Sequence, residues 1–390
     1  MISVKVLHLA SFQGNVGDNA NHNGFYSAIS TIKDYAFSFT TLEIRDFFWK
    51  DRFFDENLVE YINSFDLFVF GGGNYFELWV DHSPTGTSFM MTNALFERID
   101  IPIIFNCLGV DPAQGTSTSA VSKFKNFLDT VQNKNNSFLS VRNDGSFETL
   151  GLYLGDHYQS IFYHAVDAGC NLRLDNCPDN NFLFKHSKYV CINLAGDMLE
   201  RRFAGNIQFF QAFLRDFAQT VQSLIEDSLV DEIVLVPHIL ADIDVLYQFS
   251  KMFDYKLQRQ KLTFAPLLHG QGCEVEVFKY YKYSAFNICN RFHANLCSIA
   301  FEKPTLMLYN YRQIKKLAEE TSLQDFLVPI ESGSIASDSK NLIRAVALNP
   351  SQFAHPFIDA SSSMRSRYMS YISELSSFLD DKFKPFLVSQ

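Results

Sequence analysis

The feature that most constrains this chain is an alternation. Short, nearly continuous apolar runs are separated by longer segments whose apolar residues recur at helical period. A strand buried on both faces has no wet side to show, so it reads as an unbroken apolar run. Such runs spaced by helices are the sequence form of a parallel sheet covered on both sides. In the first half the strands are expected at 4–9, 37–44, 67–70, 102–107 and 138–141, with helices over 19–32, 56–64, 88–97, 119–131 and 145–152. A stretch rich in Asn, Asp and Pro, 171–181, breaks the rhythm and reads as a linker. The rhythm restarts with strands at 189–193, 232–237, 285–288 and 305–308 and helices over 206–225, 242–253, 274–281, 293–301 and 314–320. The expected fold is therefore α/β, with two Rossmann-like domains facing each other across a cleft. Residues 1–170 form the first, residues 171–345 the second, and residues 346–390 form terminal helices packing across the domains. In such folds ligands lie beyond the C-terminal ends of the strands.

Composition removes several alternatives. A chain of 390 residues exceeds what one hydrophobic core usually serves, and 47% hydrophobic with 19% charged residues is globular. The 40 Phe and 17 Tyr imply bulky aromatic packing or stacking surfaces. A formal charge of −10 opposes a role in coating nucleic acid, which needs a basic face to displace counterions. The opening apolar run is interrupted by Lys5 and followed by a Gly-rich turn, so it reads as a buried strand and not a signal peptide. No apolar run approaches the roughly 18 residues of a membrane span. The seven cysteines are odd in number and scattered, as reduced core thiols are, and Cys170 and Cys177 lack neighbours for a metal site. A cytoplasmic location and no metal are expected.

The polar signals fall at the strand ends. Gly14-Asn15-Val16-Gly17-Asp18 follows the first strand and precedes a helix, a place where backbone N–H groups can face an anion. Asp18 reads equally as a helix cap or as a base for a sugar hydroxyl. Gly71-Gly72-Gly73-Asn74 ends the third run; a tight turn needs fewer glycines, so a ligand approaching the main chain is favoured there. Arg142 closes a strand and offers a planar fork for carboxylate or phosphate, or else an ion pair with Asp144 or Asp156. His238, followed by Asp242 and Asp244, suggests a His/Asp rim on the opposite wall, although a helix cap explains the aspartates too. Asn74 and His238 are the candidate acceptor ligands. Arg291 and His293 sit at a strand-to-helix junction, where a fixed cation beside a titratable imidazole suits proton transfer next to an anion; a satisfied core histidine is the other reading. Tyr75, Phe76 and Trp79 read either as core or as contacts to an acceptor or its lipid anchor.

The order of these motifs resembles the polysaccharide pyruvyl transferase family over nearly the whole chain. The match comprises Gly14-Asn15-Val16-Gly17-Asp18, Gly71-Gly72-Gly73, Ser140-Val141-Arg142 with Ser146 and Leu150, Asp167, and Arg291-Phe292-His293. The resemblance implies a GT-B-like fold, phosphoenolpyruvate as donor co-substrate, no cofactor or metal, and a ketal-pyruvylated sugar in a cell-surface glycan as product. It carries over Asp18, Arg142, Arg291 and His293 as active residues. Family members usually place a Lys about twenty residues after the His; the ungapped position here is Gln313, so Arg312 or Lys315 is left to supply the cation. In this scheme Arg142 and Arg291 hold the carboxylate and phosphate, helped by backbone donors from Asn15, Gly17 and the Gly71–Gly73 turn. His293 protonates the methylene carbon, and two sugar hydroxyls add in turn, with Asp18 as base. The acceptor is a sugar or a lipid-linked oligosaccharide, the latter bringing peripheral membrane contact. The alternatives are a GT-B nucleotide-sugar glycosyltransferase, since the fold serves that chemistry widely, and a non-catalytic glycan-binding relative, which the Gln313 departure favours.

Overall fold

A computed structural model describes residues 1–174 and 188–384; Cys177 and most of the expected linker lie outside them. The chain divides into two compact units: unit 1 comprises Met1–Phe12, Gly24–Ala168 and the stretch from Ser366 onward, and unit 2 comprises Gln13–Asn23 and Gly169–Arg365.

Each unit holds one six-stranded, wholly parallel sheet. Unit 1 contains β1 (Ile2–Ala10), β2 (Tyr35–Glu43), β3 (Leu67–Gly71), β4 (Ile103–Leu108), β5 (Ser137–Val141) and β6 (Tyr163–His164), in the order β2-β1-β3-β4-β5-β6. Unit 2 contains β7 (Tyr189–Asn193), β8 (Glu232–Leu235), β9 (Leu262–Phe264), β10 (Phe286–Cys289), β11 (Thr305–Tyr309) and β12 (Leu327–Pro329), in the order β12-β11-β10-β7-β8-β9. The central strands β3, β4 and β7 are buried throughout, which is why each read as an unbroken apolar run. The edge strands β6, β9 and β12 are two or three residues long and escape a reading built on longer runs.

The parallel order sets where each unit can bind. Strand order reverses direction between β1 and β3 in unit 1 and between β7 and β10 in unit 2. At such switch points the loops leave the sheet to opposite sides and open a crevice at the C-terminal strand ends. The Gly71–Gly73 turn follows β3, and Arg291 and His293 follow β10.

Three sequence expectations change. The helix expected over 88–97 forms only at Asn93–Glu97, capped by the Thr92 hydroxyl. Upstream, Ser83, Thr85 and Thr87 hydroxyls accept from the backbone amides of Thr85, Thr87 and Phe89, local bonds that compete with helix formation. Residues 13–23 belong to unit 2, although they lie in the first half of the chain. The terminal helices expected over 346–390 are, among the described residues, mainly one. One helix, His355–Phe383, runs from unit 2 into unit 1. In unit 2 the Ser361 hydroxyl donates to the Ala300 carbonyl at 3.1 Å; in unit 1 the Tyr371 hydroxyl donates to Asn106 Oδ1 at 2.8 Å.

Phe side chains fill the interiors of both units, and those of unit 1 pack closely on one another. Phe70, Phe76, Phe89, Phe96, Phe105 and Phe127 are fully buried, with Phe70 and Phe89 ring centroids 4.7 Å apart and Phe76 and Phe124 4.8 Å apart. Phe76 is thus core, and the Tyr75 hydroxyl accepts from the Ser11 amide. Cys107, Cys170, Cys191, Cys273, Cys289 and Cys297 are buried free thiols. Among the described residues no helix is long and apolar enough to cross a membrane, and no group of three or more His, Cys, Asp or Glu side chains is arranged to hold a metal ion.

Candidate functional site

In unit 1 the glycines after β3 have local reasons. Gly71 and Gly72 have φ of +145° and +85°, and a Cβ on Gly71 would stand 2.3 Å from the Asn106 carbonyl of β4. A Cβ on Gly73 would meet the Tyr75 ring. The expectation that surplus glycine marks ligand approach therefore gives way, at Gly71 and Gly73, to close packing. Buried His8 steadies this turn: one ring nitrogen pairs with the Gly71 carbonyl at 3.1 Å and the other with the Tyr26 hydroxyl at 2.7 Å.

The turn delivers Asn74 to Arg142. A Cβ on Gly109 would lie 2.4 Å from Asn74 Oδ1 and 3.0 Å from Arg142 Nη2, so glycine there lets the two approach. Arg142 is buried between carboxylates: Nε donates to Asp144 Oδ2 at 2.7 Å, and Nη1 lies 3.7 Å from Asp167 Oδ2. Asp144 Oδ1 in turn accepts from the Ser146 amide and hydroxyl. The ion pair with Asp144 weighed from sequence is present, and Asp167 joins it.

A residue that sequence reasoning missed, Glu77, sits beside Asn74. It accepts from the Ser88 hydroxyl at 2.7 Å and from Asn74 Nδ2 at 3.4 Å. Burial pushes its carboxyl up to about 7; the Ser88 hydrogen bond and Arg142 pull the other way, and Asp111 adds to the rise. Its place three residues after Asn74 was visible, but its burial was not.

In unit 2 the switch-point residues form one network. Arg291 gives Nε to Asp242 Oδ2 at 2.7 Å, Nη2 to Asp242 Oδ1, and Nη2 also to Asp197 Oδ1 at 2.8 Å. Asp242 is fully buried and also accepts from the amides of Gly196 and His238, both at 2.9 Å. It is a structural hub and not part of a rim. His238 likewise is a core residue: its Nε2 pairs with the Tyr281 hydroxyl at 2.8 Å, and burial, helped by Arg291 and His293, holds its pKa well below the ordinary value. An imidazole so placed is neutral and enclosed, which does not fit the acceptor role expected for it.

His293 is the second residue of the helix Phe292–Ala300 and packs directly on Gly17, where a Cβ would stand 2.6 Å from its Nδ1. Within unit 2, Gly17 of the first motif thus leaves room for this histidine. Asn15, not Asp18, caps the helix Val16–Ile29: its Oδ1 accepts from the Gly17 amide at 3.0 Å, and its Nδ2 donates to Asp18 Oδ1 at 3.2 Å.

Arg312 and Lys315 line a pocket of about 370 Å³ at the end of β11, together with Asn310, Tyr311, Glu319 and Glu331. They stand on the helix Arg312–Thr321, whose first-turn amides Tyr311 does not cap with its side chain. Asn310 is 7% exposed. Its Oδ1 accepts from Asn290 Nδ2 at 2.9 Å, which fixes the amide, while its Nδ2 has no hydrogen-bond partner among the described residues. A buried donor left unpaired is costly. The pocket connects to the switch point through Asn290–Asn310 and through Arg202, which lies 3.6 Å from Asp197 and stacks over the Tyr311 ring at 4.6 Å.

Two parallel-sheet α/β domains with these strand orders define the GT-B fold class. Solved structures carry the same fold across almost the whole chain. The S. aureus MnaA–UDP co-structure matches with a TM-score of 0.52 at 11% identity, covering 95% of this chain and 97% of its own. A putative UDP-N-acetylglucosamine 2-epimerase from Listeria monocytogenes matches at 0.55 and 10% identity over 95% and 97%, and the UDP-GlcNAc 2-epimerase of Methanocaldococcus jannaschii at 0.53 and 11% over 94% and 99%. No family model and no curated protein matches the chain.

Proposed function

We propose that this chain is a sugar-modifying transferase of the GT-B class whose donor is a nucleotide-activated sugar held by unit 2. The observation that carries the reading is the pocket at the end of β11. There Asn310, whose buried Nδ2 has no hydrogen-bond partner among the described residues, lines one wall with the cations Arg312 and Lys315, which stand on the first turn of a helix. That set of donors suits the oxygens of a diphosphate, and it would stabilise the charge that develops on a phosphate leaving group. Glu319 and Glu331 on the same pocket offer acceptors to ribose hydroxyls. A volume of about 370 Å³ suits a nucleotide portion better than the much smaller phosphoenolpyruvate. UDP in the MnaA co-structure, on the same fold, agrees with this reading.

Pyruvyl transfer from phosphoenolpyruvate is the second reading, favoured by the seating of His293 on Gly17 directly after Arg291. It is weakened because Arg142 and Arg291, its expected anion clamp, are each engaged by two aspartates.

Calorimetric titration with UDP, UDP-sugars and phosphoenolpyruvate tests both, using the wild type, Lys315→Ala and His293→Ala. Nucleotide binding that weakens roughly tenfold or more in Lys315→Ala, the loss of one charge-assisted contact, is the expected result. Binding of phosphoenolpyruvate without nucleotide would replace the first reading with the second. Heat from neither would leave the non-catalytic alternative.

A further inference from the structure

Beyond β7, unit 2 makes the four-residue helix Leu199–Arg202. Met198 before it and Ala204 after it stand at φ 53° and 52°, a left-handed backbone that residues with a Cβ seldom adopt. Of its two successive arginines, Arg201 is exposed, whereas Arg202 is turned inward and only 5% exposed. The Arg202 guanidinium is held on one side. Nε donates to the Asp197 carbonyl at 3.0 Å, and Nη2 lies 3.6 Å from Asp197 Oδ1. Nη1 is buried with no hydrogen-bond partner; among the described residues it is the only Arg or Lys nitrogen of which this is so. The Tyr311 ring, 4.6 Å away, takes no hydrogen bond from it.

Charge compensation divides unequally between the two arginines that share Asp197. Arg291 holds Asp242 through two nitrogens and Asp197 at 2.8 Å. Burial lowers its pKa, but the two aspartates more than restore it, and the value stands raised. At Arg202 burial is again the largest cause and Arg291 adds to the fall; Asp197, Tyr311 and Asp242 together do not restore it, so the value stands lowered. A buried guanidinium needs both its charge and its donors met. Arg202 has no carboxylate to itself and one donor left over. An oxyanion supplies both at once through a charge-assisted bond, whereas a water supplies only an acceptor. Tyr311, against which Arg202 packs, lines the β11 pocket beside Asn310, whose Nδ2 is likewise buried and without a partner among the described residues.

We propose that Arg202 is an anion-binding residue of unit 2, giving Nη1 to a phosphoryl oxygen of a ligand held in the β11 pocket, with Asn310 Nδ2 as a further donor. The inference rests on the reading of that pocket as a donor site and adds to it the residue that recognises the phosphate.

The test is calorimetric titration of the full chain with UDP, uridine and inorganic phosphate, using the wild type, Arg202→Met and Arg202→Lys. Methionine keeps an apolar stem in the buried space. Its melting point is expected to be no lower than that of the wild type, because the charge removed is one the fold does not fully compensate. UDP should bind at least about tenfold more weakly to Arg202→Met, with uridine binding unchanged, and the loss should be smaller in Arg202→Lys, which keeps the charge without the planar fork. Equal UDP binding by the wild type and Arg202→Met would overturn this inference and leave the donor reading standing. Inorganic phosphate bound by the wild type and lost in Arg202→Met, without any UDP binding, would keep the anion site and overturn the donor reading. Wild type that binds none of the three would overturn both. Melting points that drop sharply in both variants, with uridine and UDP binding lost together, would make Arg202 a structural residue and overturn the inference as well.

Discussion

Glu77→Gln isolates one ionisable group by its effect on stability. In the fold burial raises the Glu77 carboxyl from its ordinary 4.5 to about 7. Across that window the folded chain keeps a proton that the unfolded chain has released. A folded state that binds more protons loses stability as pH rises, so this contribution is fully present below about 4.5, falls away as pH climbs toward 7, and is flat above. The displacement is worth about 3 kcal/mol in full, and about 2–3 kcal/mol of it falls between pH 5 and pH 8. Glutamine keeps the shape and can still accept from Ser88, but it cannot ionise. Urea unfolding of both proteins across that range gives a difference curve in which other titrating groups cancel. The variant should gain on the wild type as pH rises, ending more stable at pH 8 by up to about 3 kcal/mol. A difference curve that is flat would refute the reasoning, because it would mean that Glu77 ionises as easily in the fold as out of it.

Gly17→Ala should cost about 1–3 kcal/mol, since the added methyl would lie inside contact distance of His293 and force the ring to move; denaturant unfolding measures the loss, and an unchanged His293 ring resonance would refute the contact. Asp242→Asn should destabilise unit 2 by about 3–5 kcal/mol, because it leaves the largely enclosed Arg291 with one carboxylate and disturbs the amides of Gly196 and His238. Asp197→Asn, on a half-buried side chain, should cost no more than about 1 kcal/mol, so similar losses from the two would contradict the hierarchy drawn between them.

What the sequence disclosed follows how far each interaction reaches along the chain. Strand β7 was read at its observed ends because an unbroken apolar run needs no partner to be recognised. Asp144 could be weighed as an ion-pair partner for Arg142 because it lies two residues away. Asp242 and Asp197, which hold Arg291, lie 49 and 94 residues distant, and only the fold brings them in. The membership of residues 13–23 in unit 2 has the same cause: Asn19 donates to the Gly270 carbonyl 251 residues away. Glu77 was invisible for a different reason. Its shift comes from burial beside the 83–89 hydroxyl ladder, a segment whose periodicity suggested helix at its C-terminal end.

Arg142, after β5, and Arg291, at the unit 2 switch point, bear directly on which donor the protein takes. Arg142 is buried and Arg291 largely so, and each is set between two aspartates. An arginine so paired leaves its immediate surroundings neutral or negative, and an incoming phosphate would have to displace a carboxylate already desolvated with it. Their work is then positional: Arg142 draws together Asp144 after β5 and Asp167 after β6, and Arg291 ties the end of β10 to the start of the helix Leu240–Ser250. The pocket at the end of β11 is lined by Arg312 and Lys315 together with Glu319 and Glu331. If the arginines did bind the donor, Asp167→Asn should tighten phosphoenolpyruvate binding by relieving competition for Arg142. If the β11 pocket is the donor site, the same substitution should leave nucleotide binding unchanged while Lys315→Ala weakens it. Calorimetry on these two variants therefore separates anion binding at Arg142 from a diphosphate site at the end of β11.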